Sequence, residues 1–165
     1  MVEYSVTNVV IKCEFITGRR LDLRELANTL TNAIYNPRQF SALRWRDRRI
    51  GGSLLLFGNG YAICHGKASS MFEARQRVRR YARRVQKAGY PDVRIASTKL
   101  ITLTMAANLG SRVDLPKVVG SLPSATYKPE LHNALMMRTG HAHYNVFGSG
   151  RVIVTGVLKF GHIHS

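Results

Sequence analysis

Two copies of one hairpin constrain this chain more than any other feature. Leu54–Gly66 reads L-L-L-F-G-N-G-Y-A-I-C-H-G, and Asn145–Gly156 reads N-V-F-G-S-G-R-V-I-V-T-G. Asn59-Gly60 between two apolar runs predicts a tight turn, because both residues tolerate positive φ. Phe57 and Phe147 lie 90 residues apart, as do Gly66 and Gly156. Upstream the offset is 92: Gly18, Arg20, Leu21-Asp22-Leu23 and Tyr35 match Gly110, Arg112, Val113-Asp114-Leu115 and Tyr127. Two residues lost between Arg138 and Asn145 account for the difference. The chain therefore reads as a tandem duplication, with repeat one over 1–92 and repeat two over 93–165.

Alternation sorts the side chains of the first hairpin. Leu54, Leu56, Ala62 and Cys64 share a face suited to a core. The other face carries Ser53, Leu55, Phe57, Asn59, Tyr61, Ile63 and His65, too apolar for a surface that only meets water. That face is expected to cover something.

Taken in order, Val6–Phe15 reads as a strand, and Asp22 with Glu25 forms a capping box opening a helix with Leu23, Leu26, Ala27, Leu30 and Ile34 as its buried stripe. Asn36-Pro37 ends that helix. Phe40–Asp47, Gly52–Phe57 and Tyr61–His65 follow as strands. Ser70 and Glu73 cap a second helix running to Ala88, with Gly89 and Pro91 beyond it. Its outer face is read as Arg75, Arg77, Arg79, Arg80, Arg83, Arg84 and Lys87, a candidate docking surface. In repeat two the pattern predicts a strand at Arg94–Met105, a helix at Asp114–Leu122 and strands at Leu131–Thr139, Tyr144–Phe147 and Arg151–Leu158. No counterpart of the long basic helix follows, so Val146, Val152 and Val154 are expected to be under-covered and to invite a partner protein.

The formal charge is +16, from 25 Lys and Arg against 9 Asp and Glu. Such a balance points to an anionic partner, nucleic acid first. No apolar run reaches spanning length, Met1-Val2-Glu3 begins no signal peptide, and no membrane partner is expected. Cys13 and Cys64 read as reduced core thiols of a reducing compartment. His141 with His143, and His162 with His164, pair along a strand, but no third ligand has clear spacing, so no metal site is assigned. With no paired carboxylates, Ser/His/Asp set or glycine-rich phosphate loop, neither catalysis nor a cofactor is expected.

These residues together resemble the TATA-box-binding protein family over nearly the whole chain. The resemblance rests on N-V-V at Asn8–Val10, L-D-L at Leu21–Leu23, Y-N-P-R-Q-F at Tyr35–Phe40 and R-R-Y-A-R-R-V-Q-K-A-G-Y-P at Arg79–Pro91. Repeat two adds Y-K-P-E-L at Tyr127–Leu131 and the F-G-S-G…V-T-G hairpin. It implies an α+β saddle: two β-α-β repeats forming a curved ten-strand antiparallel sheet, helices on the convex face, and the final helix missing. It also implies that the concave face meets the DNA minor groove. On that reading Asn8 is the central hydrogen-bonding Asn, with Thr102 its second-repeat counterpart. Val10, Leu55, Ile63 and Ile153 make apolar contacts, Arg46, Arg138 and Arg151 meet phosphates, and Ser149 and Thr155 supply small polar contacts. Ser53, Asn59, Tyr61, His65 and Thr104 complete the DNA face.

The family drives two pairs of Phe between base steps. Phe40 and Phe57 occupy the first pair; Phe147 and His132 stand at the second, with Asn145 replacing an apolar contact. Lys128 replaces an acidic residue that the family uses to bind initiation factor IIB, while Glu130 remains. Lys128, Glu130, Arg77, Arg80 and Arg84 are the expected partner-binding residues. The implied function is a divergent transcription initiation factor acting on A·T-rich promoter DNA with general transcription factors and RNA polymerase. The nucleus is the expected location, or a viral replication site in the cytoplasm. Two other readings are a saddle-shaped scaffold that recruits transcription proteins without strong bending, and an RNA-binding protein using stacking aromatics.

Overall fold

The computed structural model describes residues 3–157. In chain order the elements are β1 (Tyr4–Ile16), α1 (Leu23–Thr29), β2 (Ala33–Ile34), β3 (Leu43–Trp45), β4 (Ser53–Leu56), β5 (Tyr61–Lys67) and α2 (Met71–Lys87). Then come β6 (Arg94–Asn108), α3 (Leu115–Val119), β7 (Ala125–Thr126), β8 (Ala134–Thr139), β9 (Ala142–Phe147) and β10 (Arg151–Val157). The strands form one ten-stranded sheet in the order β2-β3-β4-β5-β1-β6-β10-β9-β8-β7. The expected α+β class with ten strands is the one observed. Packing separates two compact units: one holds the chain up to Asn8 and from Thr102 onward, the other Val9–Ile101.

In the Val9–Ile101 unit the period-2 pattern has the expected outcome. Val9, Ile11, Cys13 and Phe15 of β1, Leu54 and Leu56 of β4, and Ala62 and Cys64 of β5 are all buried. Against the core lie Ala74, Val78, Tyr81, Ala82 and Val85 of α2, the apolar stripe of a 3.6-residue period. Asp22 and Ser70 cap their helices as read from sequence, and Asp114, read as the first residue of its helix, is its cap; each accepts from a backbone N–H three residues on. The Glu73 carboxylate turns back to Ser69, accepting from its N–H at 2.9 Å and its hydroxyl at 2.7 Å.

Several boundaries differ from the sequence reading. Helix α1 stops at Thr29, so Ile34 is not part of a buried stripe; it lies in β2 and is 57 % exposed. The break comes at Asn32, whose φ is +59°, a left-handed conformation that Asn tolerates. Its side-chain amide donates to the Arg46 carbonyl at 2.7 Å, fastening β2 to β3. Residues 36–40 are a turn rather than the start of a strand, with the N–H groups of Gln39 and Phe40 donating to the Asn36 carbonyl at 3.0 Å each. The same turn recurs in the second copy, where Leu131 and His132 donate to Lys128 at 2.9 and 3.0 Å.

The duplicated hairpin is a three-residue loop, not a two-residue Asn-Gly turn. Gly60 N–H donates to Phe57 at 3.0 Å, Phe57 N–H donates to Tyr61 at 2.9 Å, and only Gly60 has positive φ, at +95°. Gly150 repeats this with the same φ and a 2.9 Å bond to Phe147. A Cβ on either glycine would collide with a backbone carbonyl, that of Phe15 or that of Ser111. The two lost residues come from the segment between the third and fourth strands of each copy: β3 and β4 are joined by 46–52, whereas Gly140-His141 alone turns β8 into β9.

In the other unit Val152 and Val154 are buried rather than under-covered, and Val146 is half-buried. They pack with Ala107, Ala142 and Tyr144. The expectation of a missing final helix, and His162 and His164, lie outside the described residues.

Both cysteines are buried and free. Burial pushes the Cys13 thiol up to about 12 and Cys64 to about 11, so both stay protonated at pH 8, where a thiolate is needed for reaction. Folded protein is expected to leave both thiols unmodified by an aromatic disulfide reagent at pH 8, and denatured protein to react at both. Fast modification of either in the folded state would contradict this packing.

Candidate nucleic-acid interface

Antiparallel pairing places residues opposite one another on a common face. In the Val9–Ile101 unit, Ile34, Arg44, Leu55 and Ile63 form one cross-strand row through the pairs Ile34–Arg44, Arg44–Leu55 and Leu55–Ile63. Ser53 and His65 pair in the next position. A shallow pocket of about 360 Å³ lies over these residues, lined by Ile34, Arg44, Leu55 and His65 among others. Val10, Ser53, Leu55, Phe57, Ile63 and His65 are half-buried, and Tyr61 is exposed with the Lys12 ammonium 4.9 Å from its ring centre. Asn59 uses its side-chain oxygen locally, accepting from the Tyr61 N–H at 3.1 Å.

In the other unit, Arg138, His143, Thr155 and Thr104 form one row, and Met136, Asn145, Ile153 and Ala106 the next. The Thr104 and Thr155 hydroxyls lie 3.4 Å apart. Asn8, Thr102, Thr104, Asn145, Ile153 and Thr155 are half-buried; Arg138, Ser149 and Arg151 are exposed, as is Arg46 in the Val9–Ile101 unit. Ile34, Arg44, Ala106, Met136 and His143 belong to these faces although the sequence reading did not place them on the DNA face. For Ile34 a signal existed: the 92-residue offset matches it to Thr126, a poor choice for a buried helical stripe.

Each unit carries one aromatic pair in edge-to-face contact beside its hairpin. Phe40 and Phe57 have centroids 6.2 Å apart at 64°. His132 and Phe147 stand 6.4 Å apart at 79°. Phe40 and His132 close equivalent turns, and Phe57 and Phe147 open equivalent hairpins. Phe40 is 39 % exposed, and the other three rings are half-buried. All four wedge positions read from sequence are thus brought together in pairs.

Residues 3–88 and 99–164 match the family model described as Transcription factor TFIID (or TATA-binding protein, TBP). The chain belongs to the TATA-binding protein family. The TATA-box-binding protein of Methanocaldococcus jannaschii is 31 % identical over 94 % of this chain and 84 % of its own length. The mouse TATA box-binding protein-like 2 is 33 % identical over 88 % of this chain, which spans only 42 % of that relative. The solved structure titled Methanococcus jannaschii TBP superposes with a TM-score of 0.83 at 29 % identity, covering 96 % of this chain and 90 % of that one.

One partner-binding expectation for this TATA-binding protein family member needs correction. Arg77 is buried, at 8 % exposure, and cannot belong to the outer face of α2. It falls on the stripe 74-77-78-81, which the helical period already places inward. Gly51, Gly52 and Gly66 leave room for its guanidinium, which donates to the Lys67 carbonyl at 2.6 Å and lies 3.9 Å from Glu73. Arg84 is half-buried, 4.0 Å from the buried Asp47. Arg80, Lys128 and Glu130 are exposed, as are Arg75, Arg79, Arg83 and Lys87. Arg77→Ala is expected to cost about 1–3 kcal/mol in denaturant unfolding, because a part-buried carbonyl loses its charged donor and the space between the glycines is emptied. Arg80→Ala should stay within about 0.5 kcal/mol; equal effects would place Arg77 outside.

Proposed function

We propose that this chain is a DNA-binding transcription initiation factor that grips A·T-rich duplex in the minor groove through its open sheet faces. The observation that carries the reading is the pair of edge-to-face ring contacts, Phe40 with Phe57 and His132 with Phe147, one beside each hairpin. Rings held at a hairpin rim are suited to entering a base step. The cost of unstacking is a few kcal/mol per step, a figure for which the TATA-binding family is itself the reference case. Half-buried Val10, Leu55, Ile63 and Ile153 suit an A·T groove, which offers acceptors and no guanine amino group. Asn8, Thr102, Thr104 and Thr155 supply the short donors, and Arg46, Arg138 and Arg151 the phosphate contacts.

On this reading the partners are promoter DNA, general transcription factors and RNA polymerase, the last two engaging the exposed Lys128–Glu130 turn and the outer cations of α2. The place of action is the nucleus, or a viral replication site in the cytoplasm. A scaffold that bends DNA weakly is the second reading, and His132 favours it: the imidazole is smaller than a phenyl ring and costs more to desolvate between bases.

Fluorescence-based binding and bending on A·T-rich duplex, random duplex and single-stranded RNA tests these readings together. Binding to duplex should weaken with salt by about 0.9 log units of affinity per log unit of salt for each phosphate contacted; a flat response would favour the scaffold. Phe57→Ala should lose more affinity for bendable duplex than Phe147→Ala, and His132→Phe should increase the bend. Equal losses without a gain from His132→Phe would show that the two ring pairs act alike.

A further inference from the structure

The two open faces differ at the middle of one equivalent cross-strand row. Leu55 and Asn145 are 90 residues apart, the hairpin offset. Each sits in the middle of a cross-strand row: Leu55 between Arg44 and Ile63, Asn145 between Met136 and Ile153. Ile63 and Ile153 are themselves equivalent; across the rows the middle side chain changes from isobutyl to carboxamide, and its neighbour from Arg44 to Met136.

Asn145 is an unfavourable residue for that place. Asn is depleted from strand interiors because it packs poorly on a pleated surface and prefers local backbone bonds. Here it is half-buried between apolar neighbours, and among the described residues its amide has no hydrogen-bond partner. A half-buried amide without a partner gains when a ligand supplies one. Ile153 faces Ala106 on its other side, so the row beyond the amide is apolar to its end. The next row, Arg138, His143, Thr155 and Thr104, is polar throughout. His143 is exposed and likewise has no side-chain hydrogen bond among the described residues.

The minor groove presents one chemical distinction to such a surface. A·T and T·A pairs offer only acceptors, while a G·C pair adds the guanine N2 amino group, a donor that projects into the groove. Against Leu55 and Ile63 that donor finds no acceptor and loses its water, so the row discriminates against G·C. Against Asn145 it finds a carboxamide oxygen, and the Asn145 amide N–H₂ still faces the pyrimidine O2 or purine N3 acceptors.

Resting on the minor-groove reading above, we propose that Asn145 reads a G·C pair by accepting a hydrogen bond from guanine N2. The DNA under the Asn145–Ile153 row then carries G·C, and the DNA under the Leu55–Ile63 row is A·T only.

Inosine tests this directly, because an I·C pair is a G·C pair without the N2 amino group. Equilibrium affinities are measured for an A·T-rich duplex carrying a single G·C, or a single I·C, at each position in turn. At one step G·C should bind about 5- to 20-fold tighter than I·C, the factor expected for one hydrogen bond to an otherwise unmet amide. At the other positions I·C should equal or exceed G·C. Asn145→Leu, which copies the residue at 55, should abolish the preference; Asn145→Thr, which keeps an acceptor and suits a strand, should retain part of it. Should Asn145→Leu fail to fold, the wild-type comparison and Asn145→Thr decide the matter. A wild type that prefers I·C or is indifferent at every position overturns the proposal while leaving minor-groove binding intact, as does a preference unchanged in Asn145→Leu. Failure to bind any duplex overturns both readings.

Discussion

Trp45 meets Tyr81 edge-on at 4.7 Å, and this contact holds α2 to the back of the sheet. The Tyr81 hydroxyl lies 2.9 Å from the Gly51 carbonyl and 3.2 Å from that of Gly52, sharing its one proton between them, and accepts from the Asp47 N–H at 3.4 Å. Burial pushes that phenol up to about 12, so it remains a donor throughout the physiological range. Arg77 fills the space above Gly52 and Gly66 and reaches Lys67. A sheet has two faces, and period-2 alternation lets each strand send its apolar set to only one of them. Once α2 covers the Leu54, Leu56, Ala62 and Cys64 face, the Leu55, Phe57 and Ile63 face is left open. The candidate interface is the consequence of that choice.

The two copies keep the parts that aim aromatic rings and vary the parts between them. The three-residue loop, the +95° glycine pressed against a neighbouring carbonyl and the turn that ends in Phe40 or His132 are all repeated. These are backbone requirements, met by few residue types, so they tolerate little change. The segment joining the third and fourth strands differs. In the first copy it carries Asp47, Gly51 and Gly52 to Tyr81 and Arg77, and in the second it is reduced to Gly140-His141. On the open faces, Leu55 against Asn145 and Phe40 against His132 change chemistry without changing register. Side chains facing out of a sheet answer to whatever they cover, not to the core.

Charge adds a further layer. With a net +16, most cations have no carboxylate to meet, and the two ion pairs seen at α2 are long, at 3.9 and 4.0 Å. One of them, Arg84 with buried Asp47, secures the base of α2; the other helps seat Arg77. Arg75, Arg79, Arg83 and Lys87 follow each other at one-turn spacing on the exposed side of α2, a like-charged row that weakens an isolated helix slightly. Core packing through Val78, Tyr81 and Val85 outweighs that repulsion, which leaves the row available to anions.

Much of this was legible in the sequence because it depends on local chemistry. Caps at Asp22 and Ser70, the buried alternation of Leu54 to Cys64 and the duplicated hairpin follow from residues a few positions apart. The family and the ten-strand count were carried by the resemblance of its motifs, while the residues read one by one missed the short β2 and β7. Tertiary structure alone decided the rest. Ile34 fits a helical stripe by spacing, yet pairing with Arg44 draws it into β2, since Asn32 can take positive φ and bond to Arg46. The helical period already turns Arg77 inward, but only the fold shows what receives a buried guanidinium: three glycines distant in sequence leave a space with a carbonyl at its end. Asn145 reads as a departure from a motif. Only strand register, which is set by non-local backbone hydrogen bonds, places it between Met136 and Ile153 with its amide unmet.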